Sequence, residues 1–139
     1  MAKKKQIVLV EDNPGDVILV RESPTFGGID SDLNCFLDLP QALAAIPELE
    51  RAVPDAVLLD LSLTRGNGLT FLQHIRSSPI LRDVPVIVLT SSASSADRDA
   101  SARAGANAFV AKPTQLDEFL EQVSGAVKAV LKKSAAGAF

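Results

Sequence analysis

The chain has 139 residues, 47% of them hydrophobic, a formal net charge of −3 and one cysteine, which describes a single domain able to bury a core without disulfides or structural metal. No apolar run approaches the roughly 18 residues of a membrane span, and no signal-peptide pattern follows Lys3, Lys4 and Lys5. With no tyrosine, no tryptophan and no basic stripe there is little for nucleic acid to hold, so a soluble cytoplasmic protein without a nucleic-acid or membrane partner is expected.

Five short apolar segments read as strands: Gln6 to Val10, Leu33 to Leu37, Ala56 to Leu59, Val84 to Leu89 and Ala108 to Ala111. "IVLV", "AVLL" and "VIVL" lack period-two alternation, as central strands of a parallel sheet covered on both faces do. Pro14 to Glu22 is helical by pattern and is stopped early by Ser23, Pro24, Gly27 and Gly28. Cys35, beside Phe36 and Leu37, reads as a small core residue rather than a reactive thiol. A helix begins at Pro40 and is broken or kinked by Pro47. Gly68 to Ser77 and Ala93 to Ala104 are helices, the second ending on Gly105, and His74 is an exposed residue of the first. Leu116, Phe119, Leu120, Val123, Val127, Val130 and Leu131 form one apolar stripe, which makes Gln115 to Lys132 a long closing helix. Residues 133–139 are expected to fray. Strands and helices alternating five times give an α/β fold: a doubly wound (βα)5 five-stranded parallel sheet with right-handed crossovers, one domain with its core at about residues 5–132.

In such sheets ligands bind outside the carboxyl ends of the strands. Polar groups terminate the apolar runs there: Glu11 and Asp12 after the first, Asp60 after the third, Thr90 and Ser91 after the fourth, and Lys112 before Pro113 after the fifth. Each has an ordinary explanation alone. Asp12 or Asn13 before Pro14 can cap a helix, Asp60 a turn and Thr90 a helix, and Lys112 can be solvated. Collected at one sheet edge, three carboxylates, a hydroxyl and an ammonium suit a hard cation such as Mg2+ and a phosphoryl group, with Asp60 as the attacking carboxylate. Asp16 falls in the first turn of the first helix, where the helix dipole accounts for it.

"VEDNPGD", "VLLDLSL", "VIVLTSS" and "FVAKP" together closely resemble, in order and spacing, the motifs of response-regulator receiver domains of two-component systems, over about residues 5 to 132. The resemblance implies the flavodoxin-like receiver fold and a phosphorylated signalling domain rather than an enzyme beyond its own phosphorylation and dephosphorylation. It implies Asp60 as phosphoacceptor, with Asp12, Asp60 and the Ser62 backbone carbonyl holding Mg2+ and Glu11 acting mostly through water. Lys112 would contact the phosphoryl group, Thr90 and Phe109 would form the switch pair, and the Lys112–Pro113 peptide would be cis. "EDNPGD" and "SSPILRDVPVIVLTSS", with no output domain, look most like single-domain regulators partnered with bacterial phytochromes. That implies a sensor histidine kinase as phosphodonor and homodimers through the last helix and strand. Pro24 and Pro47 depart from the family pattern on part of the kinase-facing surface.

Two other classes compete. "DLSLT" at Asp60 to Thr64 half matches the D-x-D-x-T of haloacid dehalogenase-type phosphatases, but Ser62 stands where the general acid is needed. A binding module that kept the fold and lost phosphorylation would lack an acid, the threonine or the lysine, and this chain has them all.

Overall fold

The computed structural model describes residues 5–13, 31–63, 66–90, 94–112 and 116–137. Five strands, β1 (Lys5–Val10), β2 (Ser31–Phe36), β3 (Ala56–Asp60), β4 (Val86–Thr90) and β5 (Ala108–Ala111), pair in parallel in the order β2-β1-β3-β4-β5. That order places a topological switch between β1 and β3, the crevice where doubly wound sheets bind ligands. The helices are α1 (Leu39–Ala44), α2 (Ile46–Arg51), α3 (Gly68–Ser77), α4 (Ser95–Arg103) and α5 (Leu116–Gly137). A two-stranded antiparallel ribbon, Ser62–Leu63 against Gly66–Asn67, joins β3 to α3.

The three continuous apolar runs are the central strands, and they are buried on both faces because helices cover both. Strand alternation sorts their side chains into two cores. Ile7, Leu9, Leu58, Ile87, Leu89 and Val110 meet Val123, Val127 and Val130 of α5 on one face. On the other, Val8, Val10, Val57, Leu59 and Val86 meet Phe71, Leu72 and Ile75 of α3 and Leu39, Ala42 and Leu49 of α1 and α2. Each such aliphatic side chain contributes about 1.5–3 kcal/mol on burial, which makes the layered sheet a rigid platform for whatever its ends carry. Cys35 packs half-buried beside the α5 core, and His74 is exposed on α3.

Several boundaries differ from the pattern-based reading. The helix expected from Pro40 with a break at Pro47 is two short helices meeting at Ala45. Pro47 sits in the first turn of α2, where a missing N–H breaks no helical bond, and Asp38 caps α1 by accepting from the Gln41 amide at 2.8 Å. Helix α4 starts at Ser95 rather than Ala93 because the Ser94 hydroxyl accepts the Ala96 and Asp97 amides. β4 starts at Val86 rather than Val84, whose amide bonds back to Leu81 in a turn. The expected frayed tail is helical as far as Gly137: "SAAG" carries good helix-forming alanines, which prolong α5 past Lys132. The predicted first helix, Pro14 to Glu22, with its stop at Ser23 to Gly28, lies outside the described residues. So do Asp16, Ser91 and Pro113, and with Pro113 the expected cis bond.

At the amino-terminal edge of the sheet Arg76, from the last turn of α3, commits its guanidinium to neutral acceptors. Nε and Nη2 donate to the Gly105 carbonyl at 3.0 and 2.8 Å, Nη1 to the carbonyls of Arg82 (3.0 Å) and Val84 (2.7 Å), and Nη2 also to Asn107 Oδ1 at 2.8 Å. Asn107 Oδ1 in turn accepts the Val86 amide at 2.9 Å. Gly105 adopts φ +101°, and a Cβ there would meet Arg76 Nε at 2.9 Å, so glycine is required both for the turn and for the clamp. Arg76→Ala leaves several partly buried carbonyls unpaired and is expected to cost about 2–4 kcal/mol of stability, read from urea unfolding. Arg76→Lys should recover only a minority of that, because an ammonium cannot reach all four acceptors.

Candidate functional site

Glu11 follows β1, Asp60 ends β3 and Lys112 follows β5, and the parallel sheet delivers all three to its carboxyl edge. They also share a face. Carried one step further, the alternation of Leu9, Leu58 and Val110, all in the α5-side core, reaches Glu11, Asp60 and Lys112. The charged groups thus form a polar layer on top of the apolar ones. Lys112 Nζ donates to Glu11 Oε2 at 2.6 Å and to Asp60 Oδ2 at 3.0 Å. Glu11 and Asp60 are 1% and 5% exposed, so both acids are removed from water and the ammonium between them offsets their repulsion. The Asn13 amide donates to Glu11 Oε1 at 3.1 Å and the Glu11 amide to the Phe36 carbonyl at 3.1 Å, which fixes both ends of that residue.

Asp12 completes the cluster: Glu11, Asp12 and Asp60 each offer a carboxylate oxygen, all within 4.8 Å of one another. Three oxygen donors with no sulfur or imidazole are the donor set of a hard divalent cation. Burial, a hydrogen bond shared with Asp60 and the nearby Asp60 charge push the Glu11 carboxyl up to about 7, against the opposing pull of Lys112.

Thr90 is fully buried at the end of β4, and its carbonyl accepts the Lys112 amide at 2.7 Å, which ties the lysine's backbone to the threonine's strand. In the register of β4 and β5, Val88 lies beside Phe109 and Thr90 beside Ala111. Thr90 and Phe109 therefore stand on one face of adjacent strands, two positions apart, on the side opposite the charged layer. Ser62 lies in the ribbon directly after Asp60's strand, paired with Asn67.

The structure adds contacts that the strand-end pattern did not single out. Lys112 pairs directly with Glu11 as well as Asp60. Gly68 packs so closely on Asp60 that a Cβ would collide with the Asp60 carbonyl oxygen, and its amide donates to the Leu61 carbonyl at 2.9 Å. A glycine as the first residue of a helix, where it is a poor helix former, was the available signal. Asn67 caps α3 through the Leu69 amide at 2.8 Å, and Arg98 of α4 lies over the Phe109 ring, 5.1 Å from its centroid.

This chain belongs to the response regulator receiver domain family, whose pattern matches residues 7–124. It is 34% identical over 125 residues to response regulator Rcp1 of Synechocystis sp. (strain ATCC 27184 / PCC 6803 / Kazusa), a match spanning 87% of this chain and 85% of Rcp1. The crystal structure of the phosphorylated cyanobacterial phytochrome response regulator RcpA superposes with a TM-score of 0.83 at 30% identity, covering 94% of this chain and 96% of RcpA. The Mn(2+)-bound form of Rcp1 superposes with a TM-score of 0.74 at 34% identity, covering 87% and 90% of the two chains. The chain is a receiver-domain signalling protein with the five-stranded flavodoxin-like fold, and the acidic cluster is of the kind that binds a divalent metal. That assignment sets aside the dehalogenase-type phosphatase. Among the described residues no helix is long and apolar enough to cross a membrane.

Because the folded protein holds the Glu11 proton up to about pH 7, against 4.5 for an ordinary glutamate, this group's stabilisation is complete below about pH 4.5 and lost as pH rises through about 7. In chelator, wild-type stability should therefore fall across that window by at most about 3 kcal/mol relative to Glu11→Gln. Urea unfolding at a series of pH values checks this, and parallel profiles would contradict it.

Proposed function

We propose that the chain is a stand-alone response regulator, one receiver domain over residues 1–139, in which Asp60 accepts a phosphoryl group from a sensor histidine kinase. The observation carrying this reading is the convergence of Glu11, Asp12, Asp60 and Lys112 at one edge of the sheet. An Asp60 carboxylate oxygen attacks the phosphorus of a phosphohistidine; the new P–O bond forms as the P–N bond breaks, and the histidine keeps the electron pair and takes a proton. Lys112, already bonded to Asp60, balances the charge of the incoming oxygens. The Thr90 hydroxyl then donates to a phosphoryl oxygen, and Phe109, on the same sheet face, turns with it to change the surface the domain presents.

The carboxylates fit Mg2+, which Asp12, Asp60 and the Ser62 carbonyl would hold, with Glu11 acting mostly through water. When bound, it supplies positive charge against the phosphoryl oxygens. The Glu11–Lys112 ion pair keeps the ammonium directed at the site. The enzymatic chemistry is limited to self-phosphorylation and self-dephosphorylation, in the cytoplasm. Likeness to Rcp1 and RcpA supports a phytochrome-type kinase as the phosphodonor, and homodimers through the last helix and strand belong to the same reading.

Incubation with phosphoramidate and Mg2+ should add one phosphoryl group by intact-mass measurement, and none to Asp60→Asn. A wild-type protein that stays unlabelled under several small phosphodonors is a binding module instead. Asp12→Ala should weaken Mg2+ binding at least about tenfold in titration calorimetry while leaving the far-UV spectrum unchanged.

A further inference from the structure

Arg98 sits on the exposed side of α4 between Asp97 and Asp99, yet among the described residues it makes no ion pair. Its guanidinium lies instead over the ring of Phe109, 5.1 Å from the centroid, within the range of a cation–π contact. Phe109 is half-buried, on the sheet face that carries Thr90, and three residues along its strand from Lys112. One side of the ring is thus held by the sheet and another by a charge on a different element. A ring that turns inward leaves that charge behind.

We propose that Arg98 is a latch on the Phe109 switch: the cation over the ring favours the position seen here and so opposes the turned state until Asp60 is phosphorylated. This rests on the reading of Phe109 as the moving aromatic in the function proposed above. Arg98 touches neither Asp60 nor the acidic cluster and is a positioning residue, acting through the ring. A ligand or contact stabilising one of two states shifts their populations only by its difference between them. A partly exposed cation–π contact present in one state and absent in the other biases the pair roughly two- to fivefold.

The test uses the full chain labelled with fluorophenylalanine, which has six phenylalanines, with the Phe109 resonance assigned by its loss in Phe109→Leu. Beryllofluoride with Mg2+ serves as the phosphoryl mimic. Arg98→Met keeps the aliphatic reach and removes the cation; Arg98→Lys keeps a cation without the planar face. In wild type the resonance should move when beryllofluoride is added. In Arg98→Met without beryllofluoride it should already be displaced toward that position, and phosphoramidate labelling of Asp60 should run roughly two- to fivefold faster, with Arg98→Lys between. An Arg98→Met resonance and labelling rate equal to wild type would overturn the latch while leaving the phosphorylation site intact. If Asp60 is labelled but the wild-type resonance stays still with beryllofluoride, Phe109 is not the switch and the latch falls with it. If wild type is not labelled at all, the phosphoacceptor reading itself fails. A melting temperature lowered in Arg98→Met without change in resonance or rate would mark a purely structural contact and also overturn the proposal.

Discussion

Two carboxylates, Glu11 and Asp60, are held out of water on either side of one ammonium, and the rest of the structure is arranged around that demand. Like charges at about 4 Å repel by roughly 4 kcal/mol at the effective dielectric of a protein, and burial adds to the cost. Lys112 offsets part of it, and burial with the neighbouring Asp60 still pushes the Glu11 carboxyl up to about 7. The cluster is therefore short of positive charge, which is the property a divalent cation and a phosphoryl group together require.

Such a cluster persists only on a support that does not yield. Parallel pairing of β1, β3, β4 and β5 fixes the strand ends relative to one another, and two cores packed on opposite faces hold the sheet from both sides. Gly68 lets the start of α3 press directly on the Asp60 carbonyl. At the far edge Arg76 joins α3 to the turns before β4 and β5 using only neutral partners. The Arg76 clamp thus braces the sheet at the edge opposite the charged one.

Strand alternation also separates two tasks. Glu11, Asp60 and Lys112 extend the α5-side register, whereas Thr90 and Phe109 lie on the other face. Lys112 is tied to Thr90 through the backbone, which links the charged layer to the strand that carries the opposite face. On that second face Arg98 lies over the Phe109 ring.

Much of this was legible in one dimension, since a continuous apolar run ending in a polar residue specifies a central strand and which of its ends is wet. Glu11, Asp12, Asp60, Thr90 and Lys112 were found that way, as were the parallel sheet and the stripe that becomes α5. Local chemistry decided the boundaries that pattern missed: Pro47 belongs to the start of a helix, Ser94 caps the next, and the alanines after Lys133 carry α5 to Gly137. The pairing of Lys112 with Glu11, 101 positions apart, the fit of Gly68 on Asp60 and the placing of Arg98 over Phe109 belong to the tertiary structure alone. Periodicity tells which face a side chain takes along its own element; which residue of a distant element meets it depends on sheet order, register and helix packing, and those exist only once the chain has folded.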